Sequence, residues 1–173
     1  GDKAFENPVG PGGGRPADGS FEDPRFLGRD GKPYGPLPRD WTHYKGLYLH
    51  GNRAVIRYTI GESEVRELPG YETMGETTVF SRRLEISKAS KTLRLRIAPG
   101  NKAVAIKGDK ELKVVRDKNQ FLILEIPPSA TPLRTKVLIA DTEQKSLDAH
   151  LPSRSVPVSG PVVDLSLIHI SEP

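Results

Sequence analysis

Short apolar runs separated by turn residues dominate the chain from Tyr44 onward. In the run from Ala54 to Ile60 every second residue, beginning with Ala54, is apolar and the intervening positions are mixed. This two-residue period is typical of a β-strand with one face toward a core. The turn sequences His50-Gly51-Asn52 and Gly61-Glu62-Ser63 bound the run, so we predict that it is the middle strand of an antiparallel meander.

Further runs of the same kind recur at similar spacing, and no segment of ten or more residues shows a helical stripe with caps. The nearest helical candidate is the stretch from Thr142 to His150. Phe121 to Leu124 is apolar at every position, which is typical of a central strand covered on both faces. Closely spaced strands without intervening helices favour a sandwich or barrel. We therefore predict an all-β fold, an antiparallel β-sandwich of nine strands at residues 47–49, 54–60, 64–68, 78–86, 92–97, 103–106, 112–116, 121–126 and 135–140.

The N-terminal part of the chain has a different composition, because residues 1–40 hold nine of the 17 glycines and seven of the 16 prolines. Such a stretch cannot sustain a helix or a central strand. The run Gly12-Gly13-Gly14 lacks both a preceding strand and the Gly-Lys-Ser/Thr ending of a phosphate loop. We predict an extended linker or surface-hugging segment at residues 1–43, a sandwich domain at 44–141, and a tail or the start of another module at 142–164.

Both ends of the chain are interpreted as cut edges. The only methionine is Met74, so Gly1 is not expected to be a natural start. The last nine residues, Leu165 to Pro173, resemble the translation of a sequencing-library transposon end. We therefore expect residues 165–173 to be adapter-derived, and we exclude them from reasoning about the fold.

Composition narrows the possible chemistry. Hydrophobic residues make up 35% of the 173 residues and charged residues 28%, which allows a modest core. The absence of cysteine excludes disulfides, thiolate metal sites, cysteine nucleophiles and covalent c-type haem attachment in this sequence. No apolar run approaches the roughly 18 residues of a membrane span, so we expect no membrane partner.

Basic residues concentrate between Ser81 and Lys118, where 12 Lys and Arg face four acids. Nucleic-acid binding is not the preferred interpretation, because no aromatic residue is interleaved with these cations to stack on bases. Solvated outer strand faces explain the run more simply. An anionic glycan or an acidic neighbouring domain remains an alternative partner.

No catalytic or metal-binding constellation emerges from the polar residues. His43 and His50 are seven residues apart, which places them on opposite faces of an extended strand. The chain has no Gly-x-Ser-x-Gly elbow, and the paired acids Glu62/Glu64 and Asp109/Glu111 are interpreted as solvated corners. We therefore predict that this chain is not itself an enzyme and holds no cofactor or metal.

One aromatic cluster is a candidate ligand site. Aromatic side chains on a loop beside a β-domain can stack on sugar rings while polar neighbours bind the hydroxyls. The preferred interpretation, however, is structural. In it Trp41 closes the open end of the sandwich and the tyrosines pack under the N-terminal segment. The candidate residues are Tyr34, Trp41, His43, Tyr44 and Tyr48.

The stretches Gly19 to Arg25 and, above all, Tyr34 to Gly51 resemble a domain of unknown function in large exported bacterial proteins. The resemblance extends to about Ala140 and includes Ile126-Pro127-Pro128-Ser129. In those proteins a segment of this kind precedes modules resembling sorbosone-type dehydrogenase propellers and c-type cytochromes. No catalytic residue is assigned to this domain in the family, so none is carried over.

The resemblance implies a periplasmic or secreted location and a parent protein whose redox chemistry lies in other modules. We accordingly expect a non-catalytic structural or interaction module whose partners are neighbouring domains of the same parent chain. The alternative is a carbohydrate-binding module that uses the aromatic loop around Trp41.

Overall fold

The structure is a computed structural model that describes residues 11–108 and 112–150 of the chain. Nine β-strands and one short helix form in these residues, and no helix among them is long and apolar enough to cross a membrane. The elements are β1 (Thr42–His50), β2 (Arg53–Ile60), β3 (Ser63–Met74), β4 (Thr77–Ile86), β5 (Leu93–Pro99), β6 (Ala103–Gly108), β7 (Lys113–Arg116), β8 (Phe121–Ile126), β9 (Leu133–Ala140) and α1 (Gln144–His150).

The strands form two antiparallel sheets. The large sheet has the order β1-β2-β3-β4-β9-β6, and the small sheet has the order β5-β8-β7. Each predicted run overlaps one of the nine strands. The predicted all-β antiparallel sandwich is therefore confirmed.

The main core lies between the two sheets. The even positions of β2 face it as predicted, since Ile60 is fully buried and Tyr58 packs against the same cluster. Burial of each such Leu or Ile side chain contributes roughly 1.5–3 kcal/mol, so this cluster supplies most of the driving force for folding. Its fully buried members from both sheets include Ile60, Val65, Leu84, Ile86, Leu124, Ile126, Leu133 and Val137.

The apolar strand β8 occupies the middle of the small sheet. Its neighbouring residues Ile123 and Leu124 point to opposite faces, yet both are fully buried. Leu124 faces the main core, and Ile123 lines a cleft together with Phe21 of the N-terminal segment. The predicted double cover of this strand is confirmed.

Strand β3 is longer than expected, because it continues through Pro69-Gly70 to Met74. A Pro-Gly pair ordinarily ends a central strand. Here the last residue of β3 paired with β2 is Glu67, and the following stretch pairs with β4 alone. Proline is tolerated because this part of the strand is open on one side.

The chain continues past the predicted domain end at residue 141 into α1, which packs on the outer face of the large sheet. Leu147 is fully buried in a second cluster with Val79 and Leu138. The Gln144 amide accepts a hydrogen bond from Val104 N and donates one to Val104 O, both 3.0 Å long, at the edge strand β6. The packed unit therefore includes this helix, whereas residues 151–164 and the adapter-like residues 165–173 lie outside the described residues.

Candidate functional site

The Gly/Pro-rich segment from residue 11 to residue 40 lies against the sandwich. Gly14 N donates to Arg94 O and Arg96 N donates to Gly12 O, each at 2.8 Å, which adds a short antiparallel strand to the edge of β5. Gly13 in this strand packs against the large sheet so closely that an added methyl group would lie 3.2 Å from Thr42 Oγ1. A side chain would not fit there without displacement, so close packing accounts for a glycine at position 13 without a bound phosphate.

Trp41 closes the end of the sandwich under this short strand. Its side chain is buried, and the indole Nε1 donates a 2.7 Å hydrogen bond to Gly13 O. The Arg15 guanidinium lies 6.0 Å from the ring centroid, within range of a cation–π interaction. The ring therefore has no exposed face on which a sugar could stack.

The other four residues of the predicted aromatic cluster differ in their exposure and surroundings. Tyr34 and Tyr44 are 58% and 61% exposed, whereas His43 is half-buried. Tyr48 packs against Val55 and Leu68 on the outer face of the large sheet.

A β-bulge at Lys45 separates Tyr44 from Tyr48. Tyr44 pairs with Tyr58, but Gly46 pairs with Arg57, so one extra residue stands in β1. Residues four apart in a regular strand share a face, and the bulge reverses that relation here. The bulge could not be predicted from the sequence, because a single glycine, Gly46, is its only mark there. In the structure Gly46 has a φ of 151°.

A cleft of about 790 Å³ lies between residues 19–33 and the outer face of the small sheet. At its base the side chain of Arg96 is 3% exposed and lies between two phenylalanine rings. The guanidinium carbon is 4.8 Å from the centroid of Phe21 and 4.4 Å from that of Phe121. Arg96 also forms an ion pair with Asp117 at 3.4 Å. This clamp joins Phe21 of the N-terminal segment to β5, to the start of β8 and to the turn before it.

The cations that line this cleft have acidic or carbonyl partners. Arg94 pairs with Glu125 at 2.9 Å, Lys118 pairs with Glu22 at 2.9 Å, and Arg116 donates to Gly100 O. Because the positive charges of these side chains are paired within the protein, a structural role is favoured for this part of the basic stretch between Ser81 and Lys118. The predicted solvated faces are thus partly ion-paired, a distinction that charge counting could not make.

A small hairpin from Phe26 to Tyr34 projects from the N-terminal segment. Its backbone bonds are Tyr34 N to Phe26 O at 3.0 Å and Gly28 N to Lys32 O at 2.8 Å. Phe26 is 91% exposed and Leu27 is 69% exposed. The aromatic residues Phe26 and Tyr34 are visible in the sequence as residues that could hold this segment against a neighbouring domain, whereas Leu27, beside the turn Gly28-Arg29-Asp30-Gly31, was missed.

Polar side chains fix the base of this hairpin, which we call the Phe26–Tyr34 hairpin. Asp30 accepts hydrogen bonds from the Tyr34 hydroxyl at 2.8 Å and from Lys32 N at 3.2 Å. The first of these bonds lowers the pKa of Asp30 below its ordinary value. Arg25 bonds Asp23 and also donates to Gly35 O. The apolar side chains are therefore displayed on a braced turn.

A second polar group lies inside the sandwich at the edge of the main core. Arg82 Nε donates to Glu67 Oε1 at 2.6 Å, and the Tyr58 hydroxyl donates to Glu67 Oε2 at 2.9 Å. Burial raises the pKa of Tyr58 well above its ordinary value, and the nearby Glu67 charge adds to the shift. Arg82 also donates to Arg96 O, which links the two sheets. Glu67 accepts hydrogen bonds from both Tyr58 and Arg82. This arrangement is typical of a structural hydrogen-bond network rather than of a catalytic acid–base pair.

The acid pair Glu62/Glu64 does not act as two free carboxylates. Glu64 accepts hydrogen bonds from Arg57 at 2.7 Å and from Arg66 at 3.2 Å. The Arg57 bond is the main cause of the lowered pKa of Glu64. Asp109 and Glu111 lie outside the described residues. No group of three or more His, Cys, Asp or Glu residues in the described ranges could hold a metal ion.

Comparison with known proteins supports part of the expected resemblance. Residues 1–67 match a family described as a domain of unknown function (DUF6797). No curated protein and no solved structure matches the chain. The matched part comprises the N-terminal segment, β1, β2 and the start of β3.

Proposed function

We propose that this chain is a non-catalytic interaction module of an exported, multidomain bacterial protein, and that its partners are neighbouring domains of the same parent chain. The observation that carries the proposal is the Phe26–Tyr34 hairpin, which displays Phe26, Leu27 and Tyr34 to solvent. Exposed aromatic and large aliphatic side chains of this kind are typical of the anchor residues of protein interfaces.

The bracing of the hairpin supports a binding role. Asp30 and Arg25 hold the turn through hydrogen bonds at both ends. A segment already held in one arrangement loses less conformational entropy when a partner binds than a mobile segment would. The clamp at Arg96 connects the N-terminal segment to the sandwich, so the hairpin has a rigid support.

The pairing of the acidic groups supports the absence of catalysis. Glu67 is bonded by Arg82 and Tyr58, Asp117 by Arg96, and Glu64 by two arginines. A general acid or base needs a proton that substrate can reach. A panel of sugar and ester substrates provides the check. Turnover that is abolished by one side-chain substitution would overturn this part of the proposal.

The exported location and the redox context of this proposal rest on the resemblance stated in the sequence analysis. In this proposal the electron transfer takes place in other modules of the parent protein, and the present chain holds them in position. In this proposal the binding partners of the chain are therefore other domains of the same parent protein.

Hydrogen exchange tests the interaction directly. The longer protein encoded by the gene is compared with the present chain, and residues 25–35 are expected to exchange at least fivefold more slowly in the longer protein. The turn at residues 117–120 serves as the control and should be unchanged. Replacing Phe26 and Leu27 by Ser in the longer protein should restore the faster exchange at Tyr34 and Gly35. Equal exchange in the two proteins would contradict the proposal.

A further inference from the structure

The outer face of the large sheet carries three cations in direct register on neighbouring strands. Arg83 on β4 pairs with Lys136 on β9, and Lys136 pairs with Lys107 on the edge strand β6. The next residues along β4 and β9, Leu84 and Val137, are buried in the main core. Because successive side chains of a strand point to opposite faces, the three cations lie on the side away from that core. We call Arg83, Lys107 and Lys136 the cation row.

The cation row opposes folding of the free chain. Side chains directly opposite each other on neighbouring strands have Cβ atoms about 5 Å apart, and like charges in such positions are destabilising. Lys136 has an acidic partner in Glu72 at 2.9 Å, but the Glu72 side chain is 48% exposed, and such ion pairs contribute little. Within the described ranges, Arg83 and Lys107 form no ion pair with an acidic side chain. The row therefore fits a partner that supplies negative charge.

The residues beside the cation row determine its shape. Two positions before Lys136, Arg134 lies 3.8 Å from Glu85. The Arg134 side chain is 49% exposed and that of Glu85 only 17%, so the cation is the member of this pair that faces solvent. Two positions after Lys136, Leu138 belongs to the apolar cluster under α1. Positive charge is thus presented to solvent along a band that is bordered on one side by the covered cluster.

The composition of this band selects the kind of partner. Leu68, which pairs with Arg83, and Ala105, two positions before Lys107, carry no aromatic ring on which a base or a sugar could stack. An arginine guanidinium matches a carboxylate through two parallel hydrogen bonds, and lysines add point charges. Carboxylates are therefore the anions that this surface suits best.

We propose that the cation row binds an acidic polypeptide segment, rich in Asp and Glu, from a neighbouring domain of the parent chain. The bound carboxylates neutralise the repulsion between Arg83, Lys136 and Lys107 that the free chain retains. The proposal locates a second contact surface, on the large sheet, and rests on the proposed function only for the source of the acidic segment.

Binding of a fluorescent peptide of about ten glutamates to the full chain at low salt tests the site. The double variant Arg83→Gln/Lys107→Gln is compared with Lys91→Gln/Lys113→Gln, which removes the same charge from exposed positions outside the row. We expect binding to weaken at least fivefold in the first variant and less than twofold in the second. Equal losses would show attraction to the net charge alone and would overturn the proposal.

The stability of the same variants gives a readout that needs no peptide. Arg83→Gln/Lys107→Gln should raise the urea midpoint of the chain, because it removes like charges that are directly opposite each other. The control variant should leave the midpoint unchanged. A lower midpoint for Arg83→Gln/Lys107→Gln would mean that the row stabilises the free chain, which contradicts the proposal.

Two further comparisons separate this proposal from the alternatives. An oligouronate and an oligothymidylate with the same number of charges should bind more weakly than the glutamate peptide, and tighter binding of either would contradict the partner class. The variant Phe26→Ser/Leu27→Ser changes the Phe26–Tyr34 hairpin and should bind the peptide as the parent does. Loss of binding in this variant would place the peptide on the hairpin instead, so the two surfaces are tested independently.

Discussion

At the residue scale, Arg96 is a cation whose side chain is almost fully buried on the outer face of the small sheet. The alternation in Leu93-Arg94-Leu95-Arg96 correctly assigns the arginines to the side of β5 away from the core. Alternation gives the face of a strand, but it does not tell what covers that face. Arg96 is buried because Phe21, some 75 positions earlier in the chain, lies over it.

The same limit applies to Trp41. An aromatic residue next to a strand is compatible with either an exposed surface for ligand stacking or a buried packing residue, and only its environment decides between them. The hydrogen bond to Gly13 and the burial of the ring correspond to the preferred packing interpretation. The indole of Trp41 donates to the backbone carbonyl of Gly13, and a backbone acceptor cannot be predicted from the pattern of side chains.

The Arg96 clamp gives a matched pair of substitutions on one strand. Arg96→Lys should lower the free energy of unfolding by about 2 kcal/mol, because lysine loses the planar stacking between Phe21 and Phe121. Arg94→Lys is the control. Its side chain is 42% exposed, and exposed ion pairs contribute little, so the loss should stay below about 0.5 kcal/mol. Urea denaturation followed by circular dichroism measures both, and equal losses would contradict a special role for Arg96.

At the element scale, the strands were predictable because apolar alternation and turn residues occur together, as in β2 between Gly51 and Gly61. The short helix α1 was named only as the nearest helical candidate. A helix of seven residues that is anchored by Leu147 does not produce an apolar stripe. Its position is set instead by the sheet surface and by the Gln144 bonds to β6.

Helix α1 should therefore contribute to the stability of the whole unit. Leu147→Ala is expected to lower the free energy of unfolding by about 2–4 kcal/mol, since it leaves a cavity in the second cluster. Lys145→Ala on the exposed side of the same helix should change it by less than about 0.5 kcal/mol. A Leu147→Ala protein as stable as the parent would show that the domain ends at residue 141.

The turn at residues 15–20 predicts a response to acid. Asp18 accepts hydrogen bonds from the Arg15 side chain and from Ser20 N, and these lower the pKa of Asp18 to about 2. The hydrogen bond from Lys118 lowers the pKa of Glu22, and that from Arg25 lowers the pKa of Asp23. Because the unfolded segment binds protons more tightly than the folded one, its stability is present above pH 4 and declines toward pH 2.

Fluorescence of Trp41 reports this transition, because release of the segment exposes the indole to water. We expect a red shift of the emission between about pH 4 and pH 2, ahead of the loss of the β-sheet signal. Asp18→Asn should weaken the segment at pH 7 and reduce the pH dependence. An emission maximum that stays constant to pH 2, or shifts above pH 5, would contradict this assignment.

At the scale of the whole molecule, the sandwich was predictable but the extent of the folded unit was not. The glycine and proline content of residues 1–40 excludes helices and central strands, and a linker or a surface segment fits it equally well. The structure shows the surface segment, which supplies an edge strand, the carbonyl partner of Trp41 and a cover for Arg96. These contacts join residues far apart in sequence, so local composition could not reveal them.

Amide hydrogen exchange at Gly14 and Arg96 tests most directly whether the N-terminal segment and the sandwich form one unit. These amides donate to Arg94 O and Gly12 O and hold the segment on β5. We predict protection factors within about tenfold of that of Leu124 in the central strand β8, since all three amides then open with the same unit. Exchange of Gly14 at the rate of an unstructured peptide, with Leu124 still protected, would contradict the account.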